Sequence, residues 1–127
     1  MPTQTADELR HPGPRKQPYT LYAANGRVYV RNSAGPVIDL GMLAQKPDGP
    51  DWAYLLDGNQ LAGDGFFTPE EALRDIAARL HFLWLDGQFT ALPDVRRSAG
   101  VDFSQAAQLE IELDELGPNE RIEDARV

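Results

Sequence analysis

Residues 19–30 read YTLYAANGRVYV, with Asn25-Gly26 set between two β-prone runs. Both turn residues tolerate positive φ, and a two-residue type I′ hairpin requires it twice. Such a loop fixes the register: Ala24 opposite Arg27, Ala23 opposite Val28, Tyr22 opposite Tyr29, and Leu21 opposite Val30. Side chains alternate between the faces of a strand. Tyr19, Leu21, Ala23, Val28 and Val30 therefore share the core face. Thr20, Tyr22, Arg27, Tyr29 and Arg31 share the other.

Outward from this ribbon, Ser33-Ala34-Gly35-Pro36 is a turn. Residues 37–43, VIDLGML, offer a third strand with Ile38, Leu40 and Met42 inward. Lys46–Pro50 is a loop. Trp52–Asp57 reads as a fourth strand and Asn59–Ala62 as a short fifth, followed by a flexible Gly63-Asp64-Gly65 link. Thr68-Pro69-Glu70-Glu71 then supplies an N-cap, a proline at the first helical position and a capping-box glutamate. Leu73, Ile76, Ala77, Leu80, Leu83 and Trp84 follow helical spacing, which predicts a helix over 69–86 with Gly87 just past its end. Glu70–Arg74 and Asp75–Arg79 are i,i+4 pairs expected on its outer face. Gln88–Leu92 reads as a short strand and Pro93–Gly100 as a loop.

Residues 102–116 carry two conflicting signals. LEIELD, residues 109–114, alternates like a strand. Against this, Asp102-x-x-Gln105 resembles a capping box, the interior is rich in Ala, Gln, Leu and Glu, and Gly117-Pro118 is a sharp stop. Start, stop and propensity agree, so a second helix is predicted over 103–116. The fold expected is α+β: an antiparallel sheet of three to five strands with the long amphipathic helix on one face and the second helix near the C-terminus. Residues 1–17 read as a Pro-rich tail, 18–117 as one domain, and 118–127 as an acidic tail.

The chain has 127 residues, no cysteine and a formal net charge of −8. Disulfides, thiolate metal sites and cysteine nucleophiles are excluded. No apolar run approaches the roughly 18 residues of a membrane span, and the first ten residues lack the apolar stretch of a secretory signal. A cytoplasmic protein is the expectation. The negative charge gathers late. Residues 102–127 hold Asp102, Glu110, Glu112, Asp114, Glu115, Glu120, Glu123 and Asp124 against Arg121 and Arg126. Such a surface repels phosphate backbones and attracts a basic partner; it also simply favours solubility.

Catalytic and metal motifs are weak. His11 lies in the Pro-rich tail, and His81 lies off the apolar stripe; no His-x-x-x-His spacing exists. A calcium loop starting at Asp57 would need Asp or Asn at 61, Gly at 62 and Glu at 68; the chain has Leu61, Ala62 and Thr68. Turn chemistry explains Asp57, Asn59 and Asp64 better. Gly-Lys-Ser/Thr is absent before the helix, and no Gly-x-Ser-x-Gly surrounds Ser33, Ser98 or Ser104. No cofactor is expected.

Surfaces remain. Tyr22 and Tyr29 are cross-strand neighbours flanked by Arg27 and Arg31, residue types that interface hot spots use. Alternatively they only support the hairpin, for roughly 0.2–1 kcal/mol, and become core if a second helix covers them. The first functional reading is a non-catalytic protein-binding accessory module of antitoxin, immunity or inhibitor type. It would use Tyr22, Arg27, Tyr29 and Arg31 together with Glu110, Glu112, Asp114 and Glu115, and engage a basic protein or a second copy of itself. A second reading is a small enzyme or ligand binder with a pocket lined by Trp52, Tyr54, Phe66, Phe67 and Trp84, with Asp64, Asp75 or His81 converging on it. A third is a nucleic-acid binder stacking bases on Arg27, Tyr29 and Arg31, which the acidic balance disfavours.

The stretch Trp52–Leu85 resembles the strand–loop–helix part of HicB-type antitoxins, where a Gly-Asp step precedes a Thr/Glu-Glu-Ala-Leu helix. Here Gly63-Asp64 precedes Thr68-Pro69-Glu70-Glu71-Ala72-Leu73. The resemblance implies a small sheet backed by one helix, and an inhibitory role toward a partner. Gly65-Phe66-Phe67 departs from the pattern, and no C-terminal DNA-binding segment follows.

Overall fold

Asn25 and Gly26 take φ values of 55° and 74° in the computed structural model, which describes residues 16–115. The ribbon they close has the expected pairs, from Ala24 opposite Arg27 through Leu21 opposite Val30. Its arms are β1 (Lys16–Ala24) and β2 (Arg27–Asn32). Next come β3 (Val37–Gln45), β4 (Trp52–Leu56) and β5 (Ala62–Phe66). Two helices follow, α1 (Pro69–Arg79) and α2 (Phe82–Ala91), and then β6 (Ala107–Asp114).

All pairings are antiparallel, in the order β5-β4-β3-β2-β1-β6. The fold is α+β, with six strands rather than three to five. The chain adds each of the first five strands beside the last, then crosses the sheet through the helices and returns at the opposite edge. Helix α1 touches both β5 and β6, so the sheet curls around it. Leu21, Val28, Val30, Ile38, Leu40, Leu43, Tyr54 and Leu56 of the sheet close on Ala72, Leu73 and Ile76 of α1. These are the apolar stripe of the ribbon and the apolar stripe of the helix, each burying the other.

Six expectations are corrected. Residues 103–116 are not a helix. The start signal is real but lasts one turn: Asp102 accepts from the Gln105 amide, and its carboxylate accepts from the Ser104 amide and hydroxyl. Beyond it, the two-residue alternation wins because β1 supplies a full-length partner, from Lys16 opposite Asp114 to Ala23 opposite Ala107. Leu109, Ile111 and Leu113 thereby join the core.

The helix predicted over 69–86 is two helices. Leu80 and His81 are extended, with ψ of 144° and 145°. The bend turns Leu85 inward, fully buried, and leaves Leu83 exposed. Residues 88–91, expected as part of a strand, belong to α2.

Asn59–Ala62 is largely a turn, and the supposed link Gly63-Asp64-Gly65 is the body of β5. The alternation in β3 breaks at Gly41. Val28 faces Gly41 while Tyr29 faces Asp39, so one residue is extra and the phase flips. Leu43 points inward in place of Met42, which is exposed. A Cβ on Gly41 would lie 2.4 Å from the Leu55 carbonyl oxygen, so this bulge requires glycine.

The N-cap is as expected on one side: Thr68 Oγ1 accepts from the Glu71 amide at 3.1 Å. Glu71 reaches one residue further back than a capping box predicts, accepting from the Phe67 amide at 2.9 Å. The predicted tails lie outside the described residues, except Lys16 and Gln17, which begin β1.

Candidate functional site

The outer face of the sheet divides into three zones. The middle zone carries the two hairpin tyrosines. They are 5% and 4% exposed, because the segment after α2 folds back over them. Phe103 meets Tyr22 at 4.8 Å and Tyr29 at 5.4 Å between ring centroids. Val37 completes this second, smaller core, with Val95, Ala99 and Val101 packed against it. An irregular segment provides the cover that the sequence reading assigned to a possible helix. The segment is pinned by Asp94, whose carboxylate accepts from the Val37 amide at 3.0 Å and the Arg96 amide at 2.9 Å. Those two amide donors hold the Asp94 carboxyl below its ordinary range.

The two arginines of this face are engaged. Arg27 bonds Asp39 at 3.1 Å and Asp57 at 2.9 Å. Arg31 stands 5.8 Å from the Tyr22 ring centroid, and its Nε is buried without a hydrogen-bond partner among the described residues. So Tyr22, Arg27, Tyr29 and Arg31 are adjacent, as the register predicts, but the rings are not presented to solvent.

The second zone, over β3, β4 and β5, is apolar and small. Met42 and Leu55 are paired across strands and each 38% exposed. Asp57, Asn59 and Asp64, weighed above as calcium ligands, serve turns and ion pairs. Asn59 caps the Leu61 amide, and Asp64 meets Lys46 at 3.0 Å.

The third zone is β6. Its burial alternates strictly: Gln108, Glu110, Glu112 and Asp114 outward, with Leu109, Ile111 and Leu113 half-buried between them. Glu110 sits opposite Thr20 and Glu112 opposite Pro18. Neither neighbour carries a positive charge. At the end of the row Asp114 meets Lys16 at 3.7 Å, an exposed pair, and Glu115 accepts from Gln17 at 2.5 Å. A depression of about 580 Å³ lies along this stretch, lined by Pro18, Tyr19, Thr20, Glu110, Ile111 and Glu112. Glu110, Glu112 and Asp114 therefore form one row, on a strand rather than on a helix, while Glu115, the fourth acid singled out from the sequence, lies just past β6 and out of phase with them.

None of the four depressions found among the described residues is lined by all five residues of the alternative pocket. Tyr54 is buried and stacked on Phe66 at 5.9 Å. Trp52 lies opposite Phe66 in the strand pairing. Trp84 stands at the other end, beside Gly58, and Phe67 is 78% exposed. The 380 Å³ depression beside Tyr54 includes none of the other four. Tyr54 instead serves a lock between helix and sheet. Its hydroxyl donates to Asp75 at 2.5 Å and accepts from Arg79 at 2.8 Å, while Arg79 also donates to the Ala62 carbonyl at 2.8 Å. The i,i+4 pair of α1 closes the set at 3.5 Å. Sequence reasoning placed that pair on the helix but had no signal that a strand tyrosine would enter it.

Among the described residues, no three His, Asp or Glu side chains converge as metal ligands, and no helix is long and apolar enough to cross a membrane. Comparison of the chain with protein-family models, curated proteins and solved structures finds no match. The resemblance to HicB-type antitoxins thus rests only on the Gly63-Asp64 step, the Thr68–Leu73 helix start and the strand–loop–helix order.

Proposed function

We propose that the protein is a non-catalytic binding module that docks a basic protein partner through the acidic outer face of β6. The observation that carries this reading is the row Glu110, Glu112 and Asp114, exposed on one face of an edge strand. Glu110 and Glu112, two residues apart with no cation opposite either, repel one another, whereas a cationic surface laid across the row gains from each acid. The net charge of −8 extends the attraction beyond the contact itself. The hairpin contributes the scaffold for this row, since β1 is the strand that β6 pairs with.

The test is affinity capture with two baits, the wild-type chain and an E110K/E112K/D114K variant checked for unchanged circular dichroism. Wild type should retain basic proteins at low salt, release them as salt rises, and lose them in the variant. Retention of the same proteins by both baits would refute the reading.

A further inference from the structure

We infer that the partner is held by strand addition: an extended segment with alternating Lys/Arg and apolar residues pairs with the free edge of β6. The inference rests on the acidic docking reading and specifies how it works. Three features converge on this edge.

β6 ends the sheet, and among the described residues no strand pairs with its outer side. That side presents backbone donors and acceptors ready to template another strand. Outward, an added strand would lie beside the acids Glu110, Glu112 and Asp114, which match basic side chains at every second position. Inward, a groove of about 190 Å³ lies between β6 and the end of α1, lined by the apolar Ala77, Ala78, Leu80, Phe82 and Leu113 together with His81, Glu112 and Asp114. The intervening residues of the same strand would drop aliphatic side chains into it. Basic outside and aliphatic inside is one pattern, at the two-residue period that a strand imposes.

A second copy of the chain fits poorly. In an antiparallel β6–β6 pair that keeps apolar opposite apolar, acids come to face acids, as Glu110 faces Glu112 in the pair centred on Ile111, which is unfavourable. The opposite edge is a weaker template: β5 is five residues long, two of them glycine, and carries the Lys46–Asp64 ion pair.

The probes are three capped heptapeptides. One alternates lysine and valine, the second is the same peptide N-methylated at the residues that would pair with β6, and the third replaces lysine with glutamate. Affinity is read by titration, and amide hydrogen exchange is followed across Ala107–Asp114. The lysine–valine peptide should bind and slow exchange in β6, and N-methylation should weaken it at least about tenfold, the equivalent of about 1.4 kcal/mol. The glutamate peptide should not bind. If the N-methylated peptide binds equally well while E110K/E112K/D114K abolishes both, acidic docking stands and strand addition falls. If the lysine–valine peptide does not bind even at low salt, strand addition is overturned; whether the acidic reading falls with it is decided separately by the two-bait capture.

Discussion

Tyr54 ties β4 to α1 through a single hydroxyl, which donates to Asp75 and accepts from Arg79. Burial, together with the Asp75 carboxylate beside it, pushes its phenol up to about 12, and the Arg79 donation only partly offsets them. A phenol raised in the folded state stabilises the fold fully below its unfolded value, about 10. That contribution is lost as pH rises through 12. Tyr54→Phe should keep the ring stack on Phe66 and the Asp75–Arg79 pair while losing the bridge between them. The expected cost at neutral pH is about 1 kcal/mol, because both charged partners are half-exposed and recover water. Urea titrations of the two proteins between neutral pH and pH 11 would check it. Wild type should lose stability faster than the variant on the alkaline side; equal slopes would mean that the hydroxyl is not held as described.

At the scale of the element, the segment between α2 and β6 does the work expected of a helix, with one carboxylate as its pin. Asp94 is favoured in its charged form by the amides of Val37 and Arg96. Its folded value is therefore lowered, so the anchoring is intact above about pH 4 and weakens as pH falls through that lowered value. Asp94→Asn should loosen the cover over Tyr22 and Tyr29 at neutral pH and abolish this part of the acid dependence. Faster amide exchange at Val37 and new tyrosine accessibility would report it; unchanged exchange would mean that Phe103 and the Val95 amide, which donates to the Val37 carbonyl at 2.7 Å, hold the segment without the carboxylate.

The elements also show what was legible in advance. Asn25-Gly26 fixed a local register, and Thr68-Pro69 fixed a helix start, because each signal is complete within a few residues. Residues 107–114 were misread because the deciding factor is not local. Their helix-prone composition is outweighed by burial of Leu109, Ile111 and Leu113 beside a strand nearly ninety residues earlier in the chain. The flip at Gly41 was hidden for the same reason: only the approach of the Leu55 carbonyl makes the missing Cβ necessary. The acids Glu110, Glu112, Asp114 and Glu115 were legible as a cluster, since charge is written in the sequence, but the element expected to carry them is a strand, which sets only the first three in one row.

For the molecule as a whole, the claim on which the rest stands is that the last strand returns to lie against the first. That pairing curls the sheet around α1, sets Glu110, Glu112 and Asp114 in one row and, among the described residues, leaves the outer side of β6 unpaired. Thr20 and Glu110 are cross-strand partners, and paired residues of an antiparallel sheet have Cα atoms about 4.5–5.5 Å apart, within disulfide reach. The chain has no cysteine of its own. A Thr20→Cys/Glu110→Cys variant should close a disulfide nearly completely under mild oxidation, while Thr20→Cys/Asp114→Cys, displaced by four residues, should not. Efficient closure of the displaced pair, or failure of the matched pair in a folded protein, would contradict the account.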